Sequence, residues 1–205
     1  LSLKQRMQLK KIKLLLTLYA LKDLISGERF LSKNIYSIFF FLGLCMRLAL
    51  LGLIVPALTE SLYAPFMEAT TEECFWNPWE IWLAGGGSYL AFPYGYVTWV
   101  ILAPLSILFQ LVQLPVSLAY GTSLLIIDIS LFILLNKLLP GKKNIILLTY
   151  WFSPIVLFST YIMGLNDLIP ITLITFSLFM LSKKSWSISG FVLALSISSK
   201  ISMVI

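Results

Sequence analysis

Five glutamates, Glu60, Glu68, Glu72, Glu73 and Glu80, fall within residues 59–95, a stretch with no lysine or arginine. The chain has no histidine. Histidine-based zinc sites, catalytic triads and imidazole bases are therefore excluded, and acid–base chemistry is left to carboxylates, tyrosines and lysines. Glu60 stands just past the first long apolar run, where a carboxylate can face the polar boundary of that run. Glu68 follows Tyr63-Ala64-Pro65-Phe66 and lies two turns on from Glu60 if the segment is helical. Glu72-Glu73 reads as a solvated pair. Glu80, three residues after Asn77, reads as the N3 partner of a helix cap.

Two further carboxylates lie near or within apolar runs. Asp128 is in the middle of LLIIDISLF, where an ionised group costs at least ~2.5–3.5 kcal/mol in hydrocarbon. Arg47, inside the first apolar run, is its natural partner, so the two are expected to form a structural ion pair facing the bundle interior. Asp167 belongs to the polar break Gly164-Leu165-Asn166-Asp167. Helix capping explains that turn without function; an interfacial acid and amide facing a substrate headgroup is the functional reading. Lys200, inside the last apolar run, either pairs with a phosphate or extends to the interface. Cys45 and Cys74 are too far apart in the pattern to meet, and each reads as an unpaired thiol.

These groups must be positioned by a chain that is 59% apolar and only 12% charged, with mean hydropathy +0.93. Soluble domains carry roughly 25% charged residues, so much of this surface cannot face water and the bilayer is its solvent. The fold class expected is an all-α membrane protein of about six spans, with an outer loop of in-plane helices after the first. Apolar runs at 36–58, 96–112, 116–139, 145–162, 168–181 and 186–205 supply the spans. Pro104, Pro115, Pro154 and Pro170 bound or interrupt them, so kinked helices are expected. The first long run begins too deep for a cleavable signal. The start at Leu1 and the stop within an apolar run suggest a piece of a longer chain.

Residues 1–35 carry eight basic and two acidic side chains, which accounts for the whole net charge of +6. Leu14, Leu15, Leu18, Leu21 and Leu24 recur there at helical spacing, as in a basic amphipathic helix on an anionic leaflet; lipid, not nucleic acid, is the partner expected. The positive-inside rule puts this segment in the cytoplasm and the acidic loop outside. Six simple spans would then leave Lys137, Lys142, Lys143, Lys183 and Lys184 outside. A re-entrant or in-plane piece near Gln110–Pro115 would bring all five inside and put Gly164–Asp167 outside, facing the glutamates. The loop itself is aromatic, with Trp79, Trp82, Phe92 and Tyr94 among its rings, and Asn77-Pro78 and Gly85-Gly86-Gly87 mark the ends of a short helix.

In order, the chain has a basic start, one span, a large acidic outer loop and FPYG leading into the next run. An Asp in the third span, WFSP before a Gly-x-x-Asp turn, and a Lys in the final run follow. This order resembles the GT-C superfamily of multi-span glycosyltransferases that use polyprenyl-phosphate sugars, including mannosyltransferases, and covers 36–205 as an N-terminal part. The resemblance implies a carboxylate base, Glu60 or Glu68, for an acceptor hydroxyl, with Asp167 as the acid of the outer turn. It implies substrate contacts from Asn166, Lys200, Tyr94 and Trp79, a polyprenyl-phosphate sugar donor, and a glycan, lipid or protein acceptor. No cofactor is required; a divalent metal is permitted by the residues, and no metal ligands are assigned. Asn77 stands where many relatives have an Asp before Pro-Trp, and Met163 and Leu165 where others have His and Gln. A bacterial-type plasma membrane or an ER-like membrane is implied. The alternatives are a transporter or flippase of a lipid-linked or small polar substrate, and a non-catalytic membrane subunit.

Overall fold

The protein is described by a computed structural model over residues 33–72 and 77–200. The basic segment expected over 1–35 lies outside the described residues up to position 32, as do Glu73, Cys74 and residues 201–205. Every regular element among the described residues is a helix.

Helices α1 (Lys33–Leu53) and α5 (Val116–Leu138) are each long and apolar enough to cross a membrane. A third path is bent by 44°. It consists of α6 (Lys143–Ile146) with a π-helical turn at Leu147–Trp151, then α7 (Pro154–Leu157) with another at Phe158–Ile162. The bend falls where Pro154 lacks the N–H that would continue the ladder, and Ser153 Oγ accepts from Val156 N instead. Helices α2 (Ala64–Thr71), α3 (Pro78–Ala84), α4 (Tyr96–Leu111), α8 (Leu168–Ser182) and α9 (Trp186–Ser199) are shorter. Ile38, Phe41 and Leu48 of α1 and Phe191 of α9 are exposed, as expected of side chains whose solvent is hydrocarbon.

The first span is shorter than the apolar run suggested. It ends at Leu53 rather than Leu58, because the chain opens ahead of Pro56. The larger difference concerns 96–112. At one end of the bundle the Tyr36 hydroxyl donates to Asn136 Oδ1 (3.5 Å), and the ammonium groups of Lys137 and Lys183 both lie over the Phe179 ring. That end carries the start of α1 and the finish of α5 and α8. At the other end Tyr120 near the start of α5 donates to Gly164 O (3.1 Å). There the first turn of α4 meets the finish of α9, through Gly95 N to Ser199 O (2.9 Å) and Thr98 Oγ1 to the same carbonyl (2.9 Å). The last turn of α4 is held at this end too, since Gln110 Nε2 donates to Glu68 O (3.1 Å) and Thr71 Oγ1 (2.9 Å). Helix α4 therefore starts and finishes at one end; among the described residues two helices, or three paths with the bent one, are long and apolar enough to cross a membrane, and six simple crossings are not confirmed. The lysines of 137–143 and 183–184 gather at the opposite end from the glutamates.

Between the two ends lies a polar node. Arg47 Nε donates to Asp128 Oδ2 at 2.6 Å, with both side chains 0% exposed. Asp128 also accepts from the hydroxyls of Tyr150 (2.6 Å) and Tyr161 (2.8 Å). Arg47 Nη1 donates to Gly43 O (3.2 Å) and Trp151 O (2.8 Å), and its guanidinium lies 3.7 Å from the Trp151 ring centre. Asp128 is thus met by three side-chain donors from α1 and the bent path, as a buried charge pair requires, while Arg47 Nη2 has no partner among the described residues.

Helix α3 begins as its residues suggest. Asn77 Oδ1 accepts from Glu80 N (3.4 Å), Asn77 Nδ2 donates to Glu80 Oε2 (3.3 Å), and Pro78 occupies the first turn. Glu80 is thereby a capping residue. Asn77→Ala is expected to cost about 1 kcal/mol, read as a lower thermal midpoint in detergent.

Candidate functional site

The segment after Pro56 turns the glutamates to one side. A π-helical turn, Thr59–Tyr63, runs directly into α2. Tyr63, Phe66, Met67 and Thr70 recur at i, i+3, i+4 and i+7 and are all buried, so they form the inward face. Phe66 stacks on Phe92 (4.5 Å between ring centres, 3° between planes) and Tyr63 on Tyr120 (5.4 Å). Thr70 Oγ1 donates to Phe66 O (2.8 Å) and accepts from Trp99 Nε1 (2.9 Å), which ties α2 to α4. With that face committed to the core, Glu60, Glu68 and Glu72 project from the opposite one.

They project into a cavity of about 800 Å³ whose far wall is Ile107, Gln110 and Leu111 of α4 and the turn to Ser117. Gln110 is the strut across it, spending its amide N–H groups on α2. Gln113, in the turn, is held at φ +57°, a left-handed conformation that a non-glycine residue adopts at a cost. Among the described residues no lysine or arginine lines this space. Neither an ion pair nor a hydrogen bond to the carboxylates of Glu60, Glu68 or Glu72 is present among the described residues, apart from the wall contacts made by the Glu68 backbone.

Asp167 and Lys200 are brought together elsewhere. Asp167 occupies the N-cap position of α8, yet its side chain caps nothing. It forms an ion pair with Lys200 at the finish of α9, so capping does not account for this residue. The Lys200 ammonium also lies 5.6 Å from the Tyr94 ring centre. The Tyr94 and Tyr63 hydroxyls share a 3.2 Å hydrogen bond. Burial, the Tyr63 hydroxyl and the Asp167 carboxylate all push the Tyr94 phenol above its usual range, so it stays protonated. This cluster is on the inward side of the Thr59–Tyr63 turn, opposite the cavity, and Asp167 does not line the space that Glu60 and Glu68 share. Trp79 donates from Nε1 to Phe92 O (3.2 Å) and packs on Phe66. It does not line this cavity and holds the loop together.

Asn166 is 1% exposed and its amide atoms have no hydrogen-bond partner among the described residues. Thr59, also 1% exposed, has an unpartnered Oγ1. The two sit on either side of a tight crossing: Gly164 has φ +75°, and a Cβ there would collide with Thr59 Oγ1 and Pro56. Gly164→Ala is expected to destabilise by about 2 kcal/mol or more through combined strain and overlap, measurable as a fall in thermal midpoint. Sequence reasoning gave no sign of Thr59. Its only signal was position, one residue before Glu60 and past a proline.

Among the described residues no three Asp, Glu or Cys side chains converge at metal-binding spacing. No protein-family model matches the chain, and neither a curated protein nor a solved structure shows significant similarity to it.

Proposed function

We propose that this chain is the N-terminal part of a multi-pass membrane glycosyltransferase of GT-C type. It would move a sugar, mannose being the first candidate, from a polyprenyl-phosphate donor to an acceptor hydroxyl. The observation that carries the reading is that Glu60 and Glu68, unpaired among the described residues, share one large cavity at the end of the bundle away from Lys137, Lys142, Lys143, Lys183 and Lys184. The positive-inside rule assigns the lysine end and the N-terminus to the cytoplasm. The glutamates then lie at the outer face, with α1, α5, the bent path, α8 and α9 as five crossings and α4 lying at that face.

The chemistry follows from the donor. Its sugar is joined to a phosphate that is charged and to a tail that is apolar, so reaction occurs at the interface. The acceptor oxygen bonds to the anomeric carbon as the bond from that carbon to the phosphate oxygen breaks. The hydroxyl proton passes to Glu60 or Glu68, and the polyprenyl phosphate leaves with the bonding pair. Lys200 is the basic side chain nearest this face among the described residues; it is held by Asp167 behind the Tyr63–Tyr120 wall, so it would serve the leaving phosphate only once that ion pair opens toward the Glu60–Glu68 cavity. Asn166 and Tyr94 flank that pair as substrate contacts. A transporter, flippase or non-catalytic subunit is less well supported, because the mid-bundle charges are sealed and paired rather than open to a path.

The test is direct. The full-length protein in proteoliposomes, given a panel of radiolabelled polyprenyl-phosphate hexoses and pentoses, is expected to release label from one of them. Label that stays on every donor, as in a boiled control, overturns the transferase reading.

A further inference from the structure

The end of the bundle away from the glutamates carries Lys137 in the last turn of α5 and Lys183 and Lys184 in the turn between α8 and α9. Among the described residues no carboxylate accompanies them. Glu60, Glu68, Glu72, Glu80 and Asp167 belong to the other end, and Asp128 is sealed against Arg47. Lys137 and Lys183 are exposed, yet their ammonium groups stand 5.8 and 5.6 Å from the centre of one ring, Phe179. Like charges brought to one ring repel each other, and the face of a phenylalanine attracts each only weakly. An anion shared by the two offsets that repulsion. Lys184 adds an independent sign. The turn closes with Ser185 N donating to Met180 O (3.0 Å) and Lys184 N to Leu181 O (2.9 Å), a motif whose left-handed position usually takes glycine. Lys184 holds that position at φ +62°, whereas the turn after α5 gives its left-handed position to Gly141 at φ +89°. A cation near a helix finish offsets the helix dipole without adopting a strained backbone, so the dipole alone does not call for a lysine at this position.

We propose that this end holds one anionic phospholipid with a phosphate-monoester head, bound by Lys137, Lys183 and Lys184. The charges select the head. A monoester carries a second negative charge that a diester lacks, which suits a site with more than one ammonium group. The surroundings select a lipid over a soluble phosphate. Trp186, two residues past Lys184, is 70% exposed, as expected of a ring at headgroup level. Toward the middle of the bundle from these lysines, Ile133 of α5 and Leu178 and Leu181 of α8 are exposed. Acyl chains therefore continue along the same helices that carry the ammonium groups. The lipid site is at the opposite end from the sugar chemistry and stands whether or not that chemistry does.

Native mass spectrometry of the full-length protein in detergent, titrated with lipids of one chain composition, counts bound lipids and ranks their affinities. Dioleoyl phosphatidate is expected to saturate at one tightly held molecule per chain, about fivefold or more tighter than dioleoyl phosphatidylglycerol. Phosphatidylcholine is expected to bind weakest, and glycerol 3-phosphate, the same head without chains, not to compete at matched concentration. Lys137→Gln and Lys183→Gln are each expected to weaken phosphatidate binding by about fivefold. Lys184→Gly is expected to weaken it similarly while raising the thermal midpoint of the lipid-free protein, since glycine relieves the left-handed strain. Lysines that served only the helix dipole would lower that midpoint when replaced and leave the order of lipids unchanged. Equal binding of phosphatidate and phosphatidylcholine, or full affinity in Lys137→Gln/Lys183→Gln, overturns the proposal. Displacement of the lipid by glycerol 3-phosphate also overturns it, in favour of a soluble phosphate.

Discussion

Arg47→Met is expected to lower stability by about 3–5 kcal/mol, because it leaves a charged Asp128 in the interior with no cation. Two phenols remain to bond that carboxylate, but hydroxyl donors do not neutralise it. Asp128→Leu is expected to cost a similar amount, stranding the guanidinium between the Trp151 ring and two backbone carbonyls. The double variant Arg47→Met/Asp128→Leu separates charge from packing. It has no buried ion, so most of the loss returns. It should still fall short of wild type by about 1–3 kcal/mol, since the Tyr161 hydroxyl loses its carboxylate acceptor and Tyr150 keeps only the backbone carbonyl of position 128 at 3.5 Å. Thermal midpoints in detergent, followed by intrinsic tryptophan fluorescence, give the comparison. Single variants as stable as wild type would mean that water reaches the pair.

Glu60→Gln and Glu68→Gln are the second pair of substitutions with large expected effects. Gln keeps the size and hydrogen-bonding oxygen of Glu but cannot take a proton. Whichever glutamate serves as base should therefore lose about 10²–10⁴ in kcat with little change in KM. The other should lose far less, and its change should appear mainly in KM for the acceptor, since it contributes charge and shape to the chamber. Both side chains are exposed to the cavity and clear of the core face of α2, so neither substitution should move the thermal midpoint. Asp167→Asn belongs to a different class. It frees Lys200, and its effect should be felt on donor binding first.

Much of this architecture is legible in the residues, for identifiable reasons. Apolar runs of span length, the scarcity of charge and the placement of lysines specify a helical bundle with an acidic end. The need of two mid-run charges for each other pairs Arg47 with Asp128 before any coordinate is consulted. Other features depend on which side of a turn a residue falls, and one-dimensional spacing does not fix that. A π-helical turn at Thr59–Tyr63 changes the angular step between Glu60 and Glu68 from that of a regular helix. Asp167 looks like a partner for those glutamates because all three belong to the same end of the bundle. The aromatic wall of Tyr63 and Tyr120 nevertheless separates them. Helix α4 has the composition of a span, and tethers that spacing does not reveal, among them Thr98 to Ser199 and Gln110 to α2, hold both its ends at one end of the bundle.

The central claim is that the outer acidic chamber performs the sugar transfer. The most direct measurement is the transfer rate of Glu60→Gln/Glu68→Gln beside wild type in the same vesicles, with thermal midpoints matched. A loss of about 10²-fold or more at unchanged stability is predicted; transfer at the wild-type rate would contradict the account.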